Sequence, residues 1–286
     1  MNTKIMSIFT RTPLHVGAGS SVGAIDSPIA RERHTRIPVI PGSALKGVTS
    51  DLWEREQGID KNGNPAQVRT AEAVELFGAR DAKDAKPGAL FIGEARVLAF
   101  PVRSAKNAFA WVTCPLALQR FLRDTGKQIE GIPDVSGMNC YASEKLQIDK
   151  KIILEEYCFE GQPVNGKFAE ELKKLSCDET WNGISDRLAI ISDEMFSFFV
   201  ENACEVVTRI RINDSTGTVD NGALFNQEQV PSETMLYTMV GTFKDEALLD
   251  KFVKKLSERG NLIQVGGDET TGLGFCSVNF TEKGGN

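Results

Sequence analysis

Apolar positions divide the chain into two patterned ends and a less regular middle. Residues 4–11 (KIMSIFTR), resumed at 14–16, read as a first strand. Ser43 is a helix N-cap candidate, and Leu45, Val48 and Leu52 follow at helical spacing to about Gln57, with Gly58 as the stop. Residues 59–70 read as a polar loop and 71–77 as a short helix closed by Gly78. Two β-rich stretches follow Pro87-Gly88, ALFIGEARVLAFPV and FAWVTCP. Residues 206–212 alternate, with Arg209 and Arg211 on one face and Ile210 and Ile212 on the other. The segment DSTGTVDNGALFNQEQVP is too long for a hairpin turn and reads as a protruding arm. A strand resumes at 233–240, with Met235, Tyr237 and Met239 on one side. Asp245 to Arg259 is the clearest helix, with Leu248, Leu249, Phe252, Val253 and Leu256 on one face and Gly260 after its end. The strand NLIQV, the loop GGDETTGLG and the strand FCSVNF close the chain.

Strand, helix, strands, then strand, helix, strand is the order of a ferredoxin-like (RRM-like) βαββαβ sheet, an α+β fold. The expected organisation is a core from 1–103 and 205–286, including a hairpin arm at about 213–232. Residues 104–204 are expected as an insertion packed on that core, with helices near 116–124, 167–175 and 194–199.

Composition narrows the function classes. No apolar run approaches the ~20 residues of a membrane helix, and MNTKIMSIFT does not read as a signal peptide, so a cytoplasmic protein without a membrane partner is expected. The six cysteines contain no CxxC pair, which speaks against structural zinc and for buried free thiols. Net charge is −6, yet residues 1–50 carry +4, with six Lys and Arg against Asp26 and Glu32. A local basic face on an acidic body suits binding along a nucleic-acid track, and a solvated charge cluster fits the numbers equally well.

Two glycine-rich stretches, Thr12 to Gly47 and Gly266 to Gly274, follow apolar strands. Glycine there lets main-chain N–H groups approach a polyanion. GAGSSVG at 17–23 partly matches a dinucleotide fingerprint, but Pro28 interrupts the helix such a site requires. GSALKG lacks the Walker A spacing. Lys46 is expected in the first turn of the Ser43-capped helix, where a cation is favourable only beside a bound anion such as phosphate. His15, Asp26 and Glu228 are ordinary residues taken singly and gain meaning only if the fold brings them together.

Taken together, TRTPLHVGAGSSVGAIDSPIARERHTRIPVIPGSALKG resembles the N-terminal signature of the RAMP superfamily of CRISPR proteins, and more narrowly the repeated backbone subunit of the type III-B effector, the Cmr complex. RIRINDSTGTVDNGALFNQEQVPSETMLY resembles the family's thumb hairpin, and GGDETTGLG its C-terminal loop. The resemblance covers about 1–103 and 205–280. It implies a filament of several copies along crRNA, with other Cmr subunits, that cleaves complementary target RNA at regular intervals. It also implies Asp26 as the principal catalytic residue, with His15 and Glu228 assisting. Ser43, Lys46, Gly266, Gly267 and Gly272 match guide-contacting segments, and Arg209 and Arg211 on the arm are further RNA-contact candidates. A basic residue common before the last glycine of the loop is Leu273 here, which removes one expected phosphate contact.

A divalent cation, Mg2+ or Mn2+, is expected at Asp26. With no dense carboxylate cluster in the sequence, it would be weakly held and partly liganded by RNA phosphates. The expected chemistry is attack of a 2′-OH on the adjacent phosphate. A non-catalytic guide-binding scaffold and a guide-processing endonuclease of the same superfamily remain alternatives at this level.

Overall fold

The computed structural model describes residues 2–19, 23–59, 64–79, 86–127, 131–212 and 215–284 and shows a mixed α+β architecture. Its first part runs β1 (Asn2–Thr10), β2 (Val39–Ile40), α1 (Gly42–Asp51), β3 (Arg55–Ile59), β4 (Pro65–Arg69), α2 (Ala71–Phe77), β5 (Leu90–Ile92), β6 (Ala95–Arg103) and β7 (Phe109–Thr113). The middle adds α3 (Pro115–Thr125), β8 (Asn139–Ala142), β9 (Lys151–Leu154), β10 (Tyr157–Pro163), α4 (Gly166–Lys173), α5 (Ile184–Arg187), β11 (Leu188–Ile190) and α6 (Asp193–Asn202). The last part runs β12 (Glu205–Ile212), β13 (Val219–Gln229), β14 (Met235–Thr242), α7 (Glu246–Glu258), β15 (Leu262–Gln264) and β16 (Phe275–Glu282).

Among the described residues the main sheet is ordered β15-β16-β1-β14-β6-β7-β11-β8-β10-β9, with β2 on β6 and β5 on β14. The central β16-β1-β14-β6 ladder is antiparallel throughout. Strand β1 is central and apolar on both faces, and its period-two alternation feeds two cores. Met6 and Ile8 join Leu45, Trp53, Phe77, Leu249, Phe252 and Leu256 on one side. Ile5 and Phe9 join Trp111, Phe121, Phe168, Trp181, Met235 and Tyr237 on the other. Residues 104–204 cover that second face with α3 and α4 and lengthen the sheet beyond β6 through β7, β11, β8, β10 and β9.

Several local expectations are corrected. Helix α1 starts at Gly42 and ends at Asp51, and its N-cap is Pro41 without a side-chain cap, so Ser43 lies inside the first turn. A Cβ on Gly42 would sit 2.4 Å from the Ile92 carbonyl, because the helix start is pressed against β5. Thr49 and Ser50 hydroxyls bond back to the Leu45 and Gly47 carbonyls, and Trp53 stacks on Phe252 at 5.9 Å between centroids. That pull into the core ends the helix seven residues before Gly58. Residues 55–69 are a β3–β4 hairpin rather than a loop, with 60–63 outside the described residues. The arm is a two-stranded ribbon, β12 on β13, already paired at Glu205 and Gln229. Its second strand is mostly polar in sequence, and the side chains buried at its foot are Gln227, Glu228 and Gln229, so it shows no hydrophobic period. Residues 213 and 214 lie outside the described residues. Finally, the cysteines are free, but Cys158 and Cys177 are exposed. Both sit on surface segments that no hydrophobic layer covers.

Candidate active site at the foot of the ribbon

Three segments distant in sequence meet beside the end of β1. Leu14 and Val230 exchange backbone hydrogen bonds, both 2.8 Å, which fixes the end of β13 to the chain leaving β1. Residues 17 and 29 bridge, folding 14–31 into a loop, and Ser27 runs parallel to Gln227. In that short ladder the Ser27 N–H donates to the Asn226 carbonyl and the Glu228 N–H to the Ser27 carbonyl, both 3.0 Å. Pro28 enforces the extended backbone this pairing needs. Residues 20–22 of GAGSSVG lie outside the described residues.

Asp26 occupies the outer end of this ladder. Its side chain is exposed, and Oδ2 accepts the Asn226 N–H at 2.8 Å. No partner holds Oδ1 among the described residues. The carboxylate is thus aimed by one oxygen and offers the other to solvent.

His15 is buried beneath it, 7% exposed. Nδ1 lies 2.7 Å from the Glu228 carbonyl and must donate to it, and Nε2 faces the Ser27 hydroxyl at 3.2 Å. Glu228 is also buried, and both carboxylate oxygens are engaged. Oε2 accepts the Ile29 N–H at 3.0 Å, and Oε1 meets the Arg31 guanidinium at 2.6 Å. Arg31 also donates to the Arg36 and Val200 carbonyls and to the Cys204 sulfur. Burial pushes the Cys204 thiol up to about 12, so the sulfur stays protonated and neutral beside this pair.

The third segment is the C-terminal glycine loop. Gly267 donates to the His15 carbonyl at 3.0 Å and Gly274 to the Pro13 carbonyl at 2.9 Å. Asp268 turns towards the ribbon: Gln227 Nε2 reaches its Oδ2 at 2.6 Å and Arg209 Nη2 lies 3.7 Å from it. Asp268, one of the two acidic residues of this loop, thereby balances Arg209.

The structure therefore brings together His15, Asp26, Glu228, Arg209, Gly266 and Gly267. Ser43 and Lys46 stand apart on α1 and have no side-chain partner among the described residues. Lys46 is the fifth residue of α1, past the first turn where the sequence placed it. The side chain of Arg211 lies outside the described residues. The sequence pattern does not single out Arg31, Ser27, Asn226 or Gln227. Nothing local marks Arg31, whose main partner lies 197 positions away.

For a divalent cation the chain offers one exposed carboxylate oxygen at Asp26, and no group of three His, Cys, Asp or Glu could enclose a metal among the described residues. That donor set fits a hard cation only where further oxygen ligands come from a bound polyanion.

A sequence profile of the RAMP superfamily matches residues 8–277. The CRISPR system Cmr endoribonuclease Cmr4 of Pyrococcus furiosus is 34% identical, covering 99% of this chain and 97% of that protein. The crystal structure of oligomeric Cmr4 from Pyrococcus furiosus superposes with a TM-score of 0.75 at 30% identity, over 99% of this chain and 100% of that one. A chain of the type III-B Cmr-beta complex bound to cognate target RNA shares the fold, with a TM-score of 0.71 at 21% identity over 98% of this chain and 97% of that one.

Proposed function

The chain belongs to the RAMP superfamily, and from that premise we propose that it is the repeated backbone subunit of a type III-B CRISPR effector, an endoribonuclease that holds crRNA and cuts complementary target RNA at regular intervals. Its partners are crRNA, target RNA, further copies of itself and the other Cmr subunits, working in the cytoplasm. The observation that carries this reading is Asp26: an exposed carboxylate aimed through Oδ2 by the Asn226 N–H, at the foot of a protruding ribbon.

The frame supports it. Strands β16, β1, β14 and β6 stand in the order 4-1-3-2, with α1 and α7 in the crossovers, as in a ferredoxin-like core. The ribbon acts as the thumb. Val206 and Ile210 are each 53% exposed and Leu224 64%, an apolar edge that can stand against unstacked base faces. In a regular duplex the 2′-OH is out of line with the scissile P–O5′ bond. A thumb that displaces one base pair lets the backbone turn towards in-line geometry. Asp26 Oδ1 then accepts the 2′-OH proton as the 2′-oxygen bonds to phosphorus and the P–O5′ bond breaks. The departing 5′-oxygen takes its proton from solvent, so the products are a 2′,3′-cyclic phosphate and a 5′-OH. His15 and Glu228 assist by holding the Asp26 loop against β13. A divalent cation shared between Asp26 and RNA phosphates would supply charge neutralisation at the phosphate.

The test is a complex assembled with a guide and given end-labelled complementary RNA. Evenly spaced cuts are expected in Mg2+ or Mn2+, and EDTA should stop cutting while guide binding persists. Cutting of repeat RNA without a target would instead identify a guide-processing enzyme. Lys46 is expected to contact guide phosphate. Lys46→Ala should weaken guide binding alike for all spacer sequences and reduce the salt slope by about one unit. A loss confined to particular sequences would contradict that assignment.

A further inference from the structure

Arg31 occupies a position between the two feet of the ribbon. Its side chain is 4% exposed, and its guanidinium reaches three separate segments. One is the turn that follows the loop, through the Arg36 carbonyl at 2.6 Å. The second is the end of α6 where the chain enters β12, through the Val200 carbonyl at 2.9 Å and Cys204 Sγ at 3.3 Å. The third is the end of β13, through Glu228 Oε1 at 2.6 Å. Glu228 in turn accepts the Ile29 N–H, and its backbone pairs with Ser27, next to Asp26.

We propose that Arg31 is a positioning residue for target cleavage: its guanidinium, through Glu228, holds the Asp26 loop and both feet of the ribbon in one register. The inference rests on Asp26 being the residue that does the chemistry. The planar fork matters here because it donates in several directions at once from a desolvated site, which a lysine ammonium on a flexible stem cannot reproduce with the same geometry. Without that clamp the loop and the ribbon foot can shift relative to one another. A shift of about 1 Å at a reacting group can cost on the order of 100-fold in rate.

The experiment compares Asp26→Asn, Arg31→Lys and the double variant Arg31→Met/Glu228→Gln, which removes both buried charges together. Melting temperature and guide affinity are measured on the chain. Single-turnover cleavage at saturating target, and the position of the cuts, are measured in the assembled complex. Arg31→Lys should bind guide within about twofold of wild type and cut about 10- to 100-fold more slowly. The double variant should also fold and bind guide, with its cleavage rate still depressed. Wild-type cleavage by either Arg31 variant, beside an inert Asp26→Asn complex, overturns the inference. So does a rate loss that merely follows lost guide binding or lost folding, or the failure of both variants to fold, since Arg31 would then serve the fold alone. Normal cutting by Asp26→Asn would instead overturn the assignment of Asp26, an outcome distinct from the others because the Arg31 variants are read against it.

Discussion

Asp26→Asn should leave an assembled complex that binds guide and target normally and cuts target RNA more than about 100-fold more slowly, the usual loss when a general base is removed. Asparagine is the informative replacement. Its side-chain oxygen can still accept the Asn226 N–H that aims Asp26 at 2.8 Å, so the loop keeps its anchor on the ribbon. What disappears is the charge and the basicity of the exposed oxygen. Single-turnover cleavage of labelled target measures the rate, and filter binding on the same preparation confirms that RNA is still held. A variant that cuts at the wild-type rate would remove Asp26 from the chemistry.

The second large effect is expected at Gly266, on stability. Its φ is +84°, and a Cβ built there would lie 2.1 Å from the His15 carbonyl oxygen. Alanine must therefore adopt a left-handed backbone at a cost of about 1–2 kcal/mol. It must also push the loop away from His15. The two together should exceed roughly 3 kcal/mol, lowering the melting temperature by about 6 °C or more for a chain of this size. Two neighbours serve as controls. Gly272 has φ +86°, and a Cβ added to it would meet nothing within 4 Å, so Gly272→Ala should cost only the backbone strain. Gly267 has neither strain nor a neighbour within 4 Å, so Gly267→Ala should be close to neutral. Thermal denaturation of the three variants gives the ranking, and equal melting of Gly266→Ala and Gly267→Ala would refute the close approach to His15.

These two positions differ in how far they can be read before the fold is seen. Asp26 is a candidate in the sequence only through the family resemblance of the segment around it. Gly266 reads only as one glycine of a loop that would expose backbone to a polyanion. Its actual constraint is the carbonyl of His15, near the opposite end of the chain. The same holds for Asp268. Nothing in its own segment points to Gln227 and Arg209, to which it turns in the fold.

The elements follow the same division. Helix α7 is legible because Leu248, Leu249, Phe252 and Leu256 all face one core, so packing and periodicity agree, and Asp245 caps it by accepting the Ala247 N–H. The sequence pattern over-extends helix α1 because its end is set by Trp53 stacking on Phe252, a contact between remote parts of the chain. Strand β13 is not legible because the side chains it buries, Gln227, Glu228 and Gln229, are polar, leaving no apolar alternation to read.

Legible in the sequence were the order of the core strands and helices, the apolar faces of β1 and α7, the family signature and the candidate Asp26. Those depend on neighbours within a few residues, where side-chain period and backbone restriction act directly. The fold alone shows that Asn226 aims Asp26, that His15 and Glu228 contact its loop, and that Arg31 joins both feet of the ribbon. Such contacts link one end of the chain to the other, and no local pattern encodes them. A buried carboxylate selects its cation by what the fold leaves within reach, because an unpaired charge in that interior would cost several kcal/mol.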